Sequence, residues 1–485
     1  MVPRELQHGN YNYEPAGLAL SNTAFQHNAP WSNSGMEQYG RLPRVGFANT
    51  IADSDYAYLT RPYFQSYRAI AAVADGLRAL ETPEVRDGLT SEELGMARAF
   101  GRFVQGMAHA TVAALFSEGF AVDETTDLSR RLDPLPYQEL MESALGYFQE
   151  AALLSENAAW TLPEGWMKAA LSGPELARAA RSMRARYGAA VARTPEERRA
   201  LDWDAIMADV DRGITKDLVL HMDDRDGWSN DVLGYGTYFG WSQLAYFIYG
   251  MADQSGSFQA WNTLALQEKS PGLDGDPVLI VTPDLHFPRG STLEVQRALS
   301  GLYFRVNASW ETGGTWARPD RGTWRWSWYK HTRGSDYWGW SRYSQPEIRM
   351  EEIRLLRAEG LHHKGRRAEA AALVNEIRVP AGLNPTDAEG TNTSCVPRLP
   401  DGSCGGLFEM LKWEKRMVNT FRGPLGNGWY FDSRGWGDLW KDTFLHLPLP
   451  CGEAQVLGLL PCGTFGGPGG EDGAPVSTYA WNGEA

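Results

Sequence analysis

The sequence lacks the surplus of basic residues that binds nucleic acid or anionic lipid. It has 485 residues, with 46 Lys and Arg against 60 Asp and Glu, and a formal net charge of −14. The long-range field of such a chain repels phosphate backbones and anionic membranes. It also lacks a Walker loop, a G-x-S-x-G elbow and a dinucleotide fingerprint. We therefore predict no nucleic-acid partner, no cofactor and no catalytic residue.

Long apolar runs are absent as well. The longest uncharged stretch, 232–252, is interrupted by glycines, Thr, Ser and Gln, which favours buried aromatic packing over a membrane span. Residues 1–7 have no apolar run and no cysteine that could carry a lipid. We expect either that the mature start has been trimmed or that the chain is not exported.

Cysteine is missing from the first 394 residues. The four cysteines form two close pairs, Cys395 with Cys404 and Cys451 with Cys462. Short local pairs in turn-rich sequence predict two disulfides, which are typical of exported proteins. Free thiols remain an alternative. Zinc is disfavoured because there is no C-x2-C spacing and neither loop contains a histidine, so we predict no metal site.

Tryptophan, in contrast, is abundant. The chain has 19 Trp, and the segment 303–343 concentrates them among Arg, Lys and Asp side chains. Indole and phenol rings stack on the flat C–H faces of sugars, while polar side chains satisfy the hydroxyls. The predicted ligand-binding residues are Trp310, Trp316, Trp324, Trp326, Trp328, Tyr329, Trp338 and Trp340.

Each of these rings could instead be buried against a scaffold, and both interpretations stay open at this point. Trp324, Trp326 and Trp328 alternate with other residues, so on an extended strand their indoles would share one face. A second, weaker candidate is the N-terminal group of Trp31, Tyr39 and Phe47 with Asn28 and Asn33. For this group a packed strap across the body is the favoured interpretation.

The pattern along the chain divides it into five segments that together predict one structural unit. Apolar residues recur at helical spacing in two regions, and a helix is expected to open near Ser91 as its N-cap. The long stretch between these regions is irregular and aromatic-rich, which is typical of functional loops. The segments are 1–60 (extended), 61–219 (helical), 220–345 (irregular Trp/Tyr-rich insert), 346–462 (C-terminal part) and 463–485 (flexible tail).

Several motifs, in order, resemble the SusD/RagB family. The longest match runs through the helix Pro346–Leu361 and the turn at Gly365 to a second helix that ends before Ala381-Gly382-Leu383. The others are Tyr67–Ile70, Ala97–Phe100, Leu115–Gly119, Ala192–Arg198, Trp413–Arg416, Trp429–Arg434 and His446–Pro450 with Glu453. The sequence departs from the family in lacking an early lipid-bearing cysteine and in the interruption Gly423–Gly428.

This resemblance implies a mostly α fold, in which tetratricopeptide-like helix pairs form a superhelical scaffold that supports the irregular ligand-binding region. It implies a non-enzymatic nutrient-binding protein on the extracellular face of the bacterial outer membrane. Such a protein would deliver a polysaccharide or peptide to a SusC-like TonB-dependent barrel. Membrane association would come through that partner or through a lipid anchor that this sequence lacks.

Two other classes of protein remain as alternatives. An all-helical glycoside hydrolase or lyase would need two carboxylates about 5–10 Å apart across a Trp-lined cleft, one with a raised pKa. A tetratricopeptide protein-interaction scaffold would show regular repeats without a Trp cluster. The irregular insert argues against the scaffold, and the order of the motifs argues against the hydrolase.

Overall fold

The computed structural model describes residues 16–223, 234, 237, 242–265, 268, 278–307, 321, 326–333, 342–421, 428–475 and 477–479. Helices dominate these residues, and the strands are short. The helices are α1 (Ala16–Thr23), α2 (Met36–Gly40), α3 (Tyr56–Leu80), α4 (Pro83–Arg86), α5 (Ser91–Leu115), α6 (Tyr137–Ser155), α7 (Glu164–Met167), α8 (Gly173–Ala190), α9 (Pro195–Ala200), α10 (Trp203–Asp211), α11 (Tyr246–Tyr249), α12 (Ser257–Thr263), α13 (Leu293–Ala298), α14 (Met350–His363), α15 (Arg367–Arg378), α16 (Leu407–Asn419), α17 (Gly428–Trp436) and α18 (Cys451–Leu457).

The strands pair two by two, and all the pairs are antiparallel. Most consist of two or three residues and pin loops to the helices. The longest ladder joins β7 to β11, with Asp223 opposite Arg342. The strands are β1 (His27–Asn28), β2 (Phe47–Ala48), β3 (Glu118–Gly119), β4 (Leu135–Pro136), β5 (Thr161–Leu162), β6 (Leu171–Ser172), β7 (Leu218–Asp223), β8 (Gln243–Leu244), β9 (Phe304–Val306), β10 (Tyr329–His331), β11 (Arg342–Ile348) and β12 (Thr464–Phe465).

The N-terminal helices α3, α5, α6 and α8 pack side by side in chain order. Helix α5 begins with a capping box in which Thr90 and Glu93 satisfy each other's backbone N–H groups, so the N-cap is Thr90 rather than the predicted Ser91. Close approach of α5 and α6 depends on Gly106, because a Cβ there would lie 2.8 Å from the ring of Phe148. Tight packing of this kind is typical of helix pairs.

The C-terminal helices repeat this arrangement. Helices α14 and α15 are joined by three residues, and Gly365 adopts φ +75° to turn the chain back along α14. Their shared apolar face, which includes Ala358, Ala370 and Val374, packs on α16 in a separate core cluster. The predicted mostly α fold built from tetratricopeptide-like helix pairs is confirmed.

Four of the motifs that carry the family resemblance meet in one buried charge network. Glu359 of α14 accepts hydrogen bonds from Arg198 (2.8 Å at both oxygens), from Lys415 (3.3 Å) and from the indole of Trp436 (2.8 Å). Asp432 of α17 accepts from the same two cations at 3.0 and 2.9 Å. Burial raises the pKa of Glu359, but the two cations outweigh it and hold the pKa well below its ordinary value.

Both predicted disulfides are present, joining Cys395 to Cys404 and Cys451 to Cys462. The first closes a loop that is held against the irregular region. In that loop the carbonyl of Cys395 accepts a hydrogen bond from Gln254 at 2.7 Å. None of the helices that the structure describes is long and apolar enough to cross a bilayer.

The flexible-tail prediction is wrong for the described part of residues 463–485. Strand β12 pairs with β2, with Phe465 opposite Phe47. Farther along, Tyr479 is buried and its hydroxyl donates to Glu409 at 2.6 Å. Glycine-rich composition suggested a linker, but several of these glycines adopt left-handed turns that return the chain to the body. The other four segment boundaries stay predictions.

Candidate ligand-binding site

A hairpin of β9 and β10 forms the described centre of the irregular region. Tyr329 pairs with Val306 and His331 pairs with Phe304. Just beyond the ladder, the backbone N–H of Asn307 donates to the carbonyl of Trp328 at 2.9 Å. The residues that border the Trp-rich stretch 308–325 are therefore held together at the end of this hairpin.

Three of the predicted ligand-binding residues lie in β10 or just before it, and all three are interior. Trp326 is 1% exposed, Trp328 6% and Tyr329 0%. Trp326 forms a β-bridge with Ala245, and the Tyr329 hydroxyl donates to Gln296 and accepts from the backbone N–H of Ile280. For these three residues the ligand-contact prediction is corrected: their rings fill the core between the hairpin and the helices.

The other five predicted rings, Trp310, Trp316, Trp324, Trp338 and Trp340, lie outside the described residues. Their described neighbours converge on one place. Arg333, which borders 334–341, donates to the carbonyls of Met417 and Val418 at 2.9 and 3.2 Å. The ring of Phe421, which borders 422–427, lies 5.5 Å from the ring of His331. The hairpin is thus attached to the C-terminal end of α16.

An arginine–tyrosine stack lies at this junction. The guanidinium of Arg333 is 3.6 Å from the ring centre of Tyr303, and the ring of His286 lies 4.3 Å from the same ring. Both Arg333 and Tyr303 are half-buried. A planar cation on an aromatic ring beside hydrogen-bonding groups is chemistry suited to holding polar, ring-shaped ligands. Spacing in the sequence gave no signal for this pair, because thirty residues separate the two side chains.

Beneath the hairpin lies a buried group of charges. Asp284 accepts from the Trp413 indole at 2.9 Å and lies 2.7 Å from His286. Burial raises the pKa of Asp284, but His286 and the hydrogen bonds outweigh it, and the pKa is lowered. Glu414 accepts from Arg378 at 3.2 Å, yet burial dominates and raises its pKa to about 7.

Glu414 does not satisfy the hydrolase alternative, although its pKa is in the range of a catalytic acid. Its side chain is fully buried and ion-paired with Arg378, so no substrate can reach it. Glu359 and Asp432 are likewise enclosed by cations. These described carboxylates hold helices together, and they do not face one another across an open cleft.

The N-terminal aromatic group divides into two parts. Tyr39 and Phe47 are buried, as the packed-strap interpretation requires. Trp31 is half-buried, and the carbonyl of the preceding Pro30 accepts a hydrogen bond from Arg321 at 3.4 Å. Since Arg321 belongs to the Trp-rich stretch, Trp31 lies near the irregular region.

A concavity lies in the helical part, between α6, α8, α9 and α10. Its volume is about 390 Å³, and its walls are mainly apolar, with Met141, Leu145 and Ile206 among them. An ion pair of Arg184 with Asp209 at 2.8 Å lies at its edge. This cavity is large enough for a small molecule but not for an extended polymer, and the sequence gave no signal for it.

Comparison with known proteins shows which solved structures share this architecture. No protein-family model matches the chain, and no curated protein matches it. Among solved structures, a SusD homolog from Parabacteroides distasonis is 13% identical, covers 99% of this chain and 96% of its own, and has a TM-score of 0.58.

Two Bacteroides vulgatus structures also match. A SusD superfamily protein is 15% identical over 90% of this chain and 86% of its own, with a TM-score of 0.54. A SusD-like carbohydrate binding protein is 12% identical over 90% and 81%, with a TM-score of 0.50. The fold expected from the SusD/RagB resemblance is confirmed, and the chain has the SusD-like fold.

Proposed function

We propose that the protein is a non-enzymatic nutrient-binding protein that captures a glycan or oligopeptide at its irregular region. The observation that carries the proposal is how the described residues that border the Trp-rich stretch are held. Its bordering residue Asn307 is held by the hairpin through the carbonyl of Trp328, and Trp326 is held by a β-bridge to Ala245. The hairpin is itself attached to the C-terminal end of α16. A rigid support of this kind lowers the conformational cost of presenting aromatic rings to a ligand.

The ligand contacts would come from the aromatic rings outside the described residues together with the exposed edge of the junction. Trp310, Trp316, Trp324, Trp338 and Trp340 would stack on apolar ligand faces. Among the described residues, the half-buried side chains Arg333, Tyr303 and Trp31 are proposed to contribute as well. A polysaccharide is the favoured ligand, since one protein with this fold is described as carbohydrate binding.

The proposed partner is a SusC-like TonB-dependent barrel in the bacterial outer membrane, with this protein on the extracellular face. Support for export comes from the two disulfides, which persist in oxidising compartments. Support for a partner comes from the SusD-like fold, because the SusD/RagB resemblance implies a SusC-like barrel. The partner would supply the passage through the membrane.

The proposal is tested by binding to a panel of soluble polysaccharides and oligopeptides in affinity electrophoresis and calorimetry. We expect the wild-type protein to bind at least one glycan without releasing reducing ends. Trp310→Ala and Trp340→Ala should each weaken that binding at least tenfold. The control Trp166→Ala, a half-buried indole that packs on Phe100 in the helical part, should bind as the wild type does.

Two results would overturn the proposal. Release of reducing ends by the pure protein, abolished by one carboxylate substitution, would favour the hydrolase or lyase. Equal binding by the wild type and by both irregular-region variants would move the ligand site elsewhere. The helical cavity beside Arg184 would then be the next place to test.

A further inference from the structure

The two faces of the β9–β10 hairpin differ in character. Side chains alternate between the faces of a strand, so four residues of the ladder point to one side and two point to the other. The four are all buried and pack into the core: Phe304, Val306, Tyr329 and His331. The other two are the cross-strand partners Arg305 and Lys330. We call the side of the hairpin that carries Arg305 and Lys330 the cationic face.

Two like charges lie side by side on this face. Arg305 is exposed, and it forms no ion pair with any residue that the structure describes. Lys330 is only 9% exposed, and burial together with the charge of Arg305 lowers the pKa of Lys330 to about 8. Like charges directly opposite each other destabilise an antiparallel pair. An arrangement that lowers the stability of the fold in this way is characteristic of functional sites.

An aromatic ring and a third cation lie next to the cationic face. Tyr303 immediately precedes β9 and Thr332 immediately follows β10, and the N–H of Thr332 donates to the carbonyl of Tyr303 at 2.8 Å. Alternation therefore places Tyr303 on the same side as Arg305. The guanidinium of Arg333 lies 3.6 Å from the centre of the Tyr303 ring, which adds a third positive charge beside Arg305 and Lys330.

The charge balance around the cationic face differs from that of the whole chain. Exposed arginines of the helical part commonly have a carboxylate beside them, as Arg366 has Glu369 at 2.5 Å and Arg357 has Asp211 at 2.6 Å. Residues 303–343, in contrast, contain seven Lys and Arg against three Asp and Glu, a charge of +4 in a chain of net charge −14. A locally positive segment in an acidic protein is suited to a negatively charged ligand.

Given the proposed capture of a glycan at the irregular region, on which this inference rests, we propose that the glycan is an acidic polysaccharide. A carboxylate or sulfate group on one of its sugar rings would bind between Arg305 and Lys330. The guanidinium offers paired N–H donors to such a group, and the bound anion would remove the repulsion between the two cations. The overall negative charge does not prevent this contact, because charges more than about 8 Å apart are screened at physiological salt.

Calorimetric titration with polygalacturonate and with its fully methyl-esterified form tests the proposal, because the two polymers share their sugar rings and differ in charge. Dextran sulfate and dextran make the same comparison for sulfate. We expect the wild type to bind at least one of the charged polymers, and to bind its uncharged counterpart at least tenfold more weakly. Polyglutamate, which carries carboxylates without sugar rings, should bind at least tenfold more weakly than that charged polymer.

Charge-removing variants locate the contact. Arg305→Gln and Lys330→Gln should each weaken binding of the charged polymer at least fivefold, and Arg305→Lys should keep more affinity than Arg305→Gln. Because Arg305 is exposed, its variants remain informative if Lys330→Gln disturbs the fold. The matched control is Arg178→Gln, which removes the same charge from an exposed arginine of α8 and should bind as the wild type does.

The outcomes separate this inference from glycan capture itself. Equal binding of charged and uncharged polymers, or full affinity in Arg305→Gln, overturns the acidic-ligand inference and leaves glycan capture standing. Binding to none of these polymers or to any other glycan overturns both. Tighter binding of polyglutamate than of either acidic polysaccharide would assign the cationic face to acidic peptides, and it also overturns the inference.

Discussion

The helical scaffold and the irregular region use their unusual residues in different ways. The scaffold buries charge: Arg198, Glu359, Lys415 and Asp432 join helices from both ends of the chain. The irregular region buries tryptophan, and Trp326 and Trp328 fill its core. High Trp content is therefore not by itself a binding surface, and the rings must be divided into packing rings and ligand rings one by one.

Breaking the charge network should have the largest effect on the scaffold. Glu359→Gln leaves Arg198 and Lys415 buried with Asp432 alone, so we expect the free energy of unfolding to fall by about 3–5 kcal/mol. Denaturant unfolding followed by circular dichroism measures this change. Glu369→Gln removes a carboxylate from the exposed pair with Arg366 and should leave the unfolding midpoint near the wild-type value. Equal midpoints for the two variants would contradict a structural role for the network.

The two disulfides lie in different parts of the molecule, because Cys395–Cys404 closes a loop held against the irregular region and Cys451–Cys462 closes a loop that includes α18. Their sequence separations are 9 and 11, so loop entropy predicts a similar cost of about 2–3 kcal/mol for each Cys-to-Ser pair. Thermal unfolding of C395S/C404S and C451S/C462S measures both. A negligible cost for either pair would show that strain or residual structure outweighs loop entropy.

A pH dependence is expected from the charges beneath the hairpin. The pKa of Glu414 is raised to about 7 in the fold from an ordinary value of 4.5, so the folded state binds its proton more tightly than the unfolded state does. The resulting stability is complete below about pH 4.5 and is lost as the pH rises through about 7.

The substitution Glu414→Gln tests this dependence. The free energy of unfolding of Glu414→Gln, minus that of the wild type, should rise by about 2–3 kcal/mol from pH 5 to pH 8. The reason is that only the wild type loses the contribution of the protonated Glu414 over this range. Chemical denaturation at both pH values measures the change. An effect of the substitution that does not vary with pH would mean that Glu414 stays ionised beside Arg378.

The smallest effect concerns a single helix end. Thr90→Ala removes the side-chain half of the capping box at α5 and should reduce the free energy of unfolding by about 1 kcal/mol. Ser91→Ala, one residue farther along, should change it much less, because Ser91 is inside the helix. Denaturant unfolding measures both changes. A larger loss of stability for Ser91→Ala than for Thr90→Ala would show that Ser91 is the N-cap.

The helices and the fold could be predicted from the sequence better than the candidate site could. Helical spacing located most of the helices, because their apolar faces repeat locally, as in Ala370 and Val374 of α15. The motif order predicted the fold, and two of the motif residues, Glu359 and Asp432, share the cation Arg198 in the folded structure. The predicted N-cap Ser91 was wrong by one residue, since both Thr and Ser can cap a helix and the capping box with Glu93 selects Thr90.

The candidate site was less predictable because its contacts are not local. Trp326 is buried through a bridge to Ala245, eighty-one residues earlier, and no periodicity in the segment shows this. The tail after residue 463 looked like a linker, but its pairing with β2 depends on residues more than four hundred positions away. Burial of a particular ring follows from the assembled fold rather than from its neighbours in the chain.

The central claim is that the scaffold supports a face whose remaining tryptophans bind ligand. The most direct measurement is calorimetric titration of the best glycan from the panel into Trp316→Ala and Trp338→Ala, with unfolding curves for both. We expect at least tenfold weaker binding with unchanged stability, because these rings would contact ligand and not core. Unchanged affinity together with a loss of stability would contradict it and would assign these rings to packing, like Trp326.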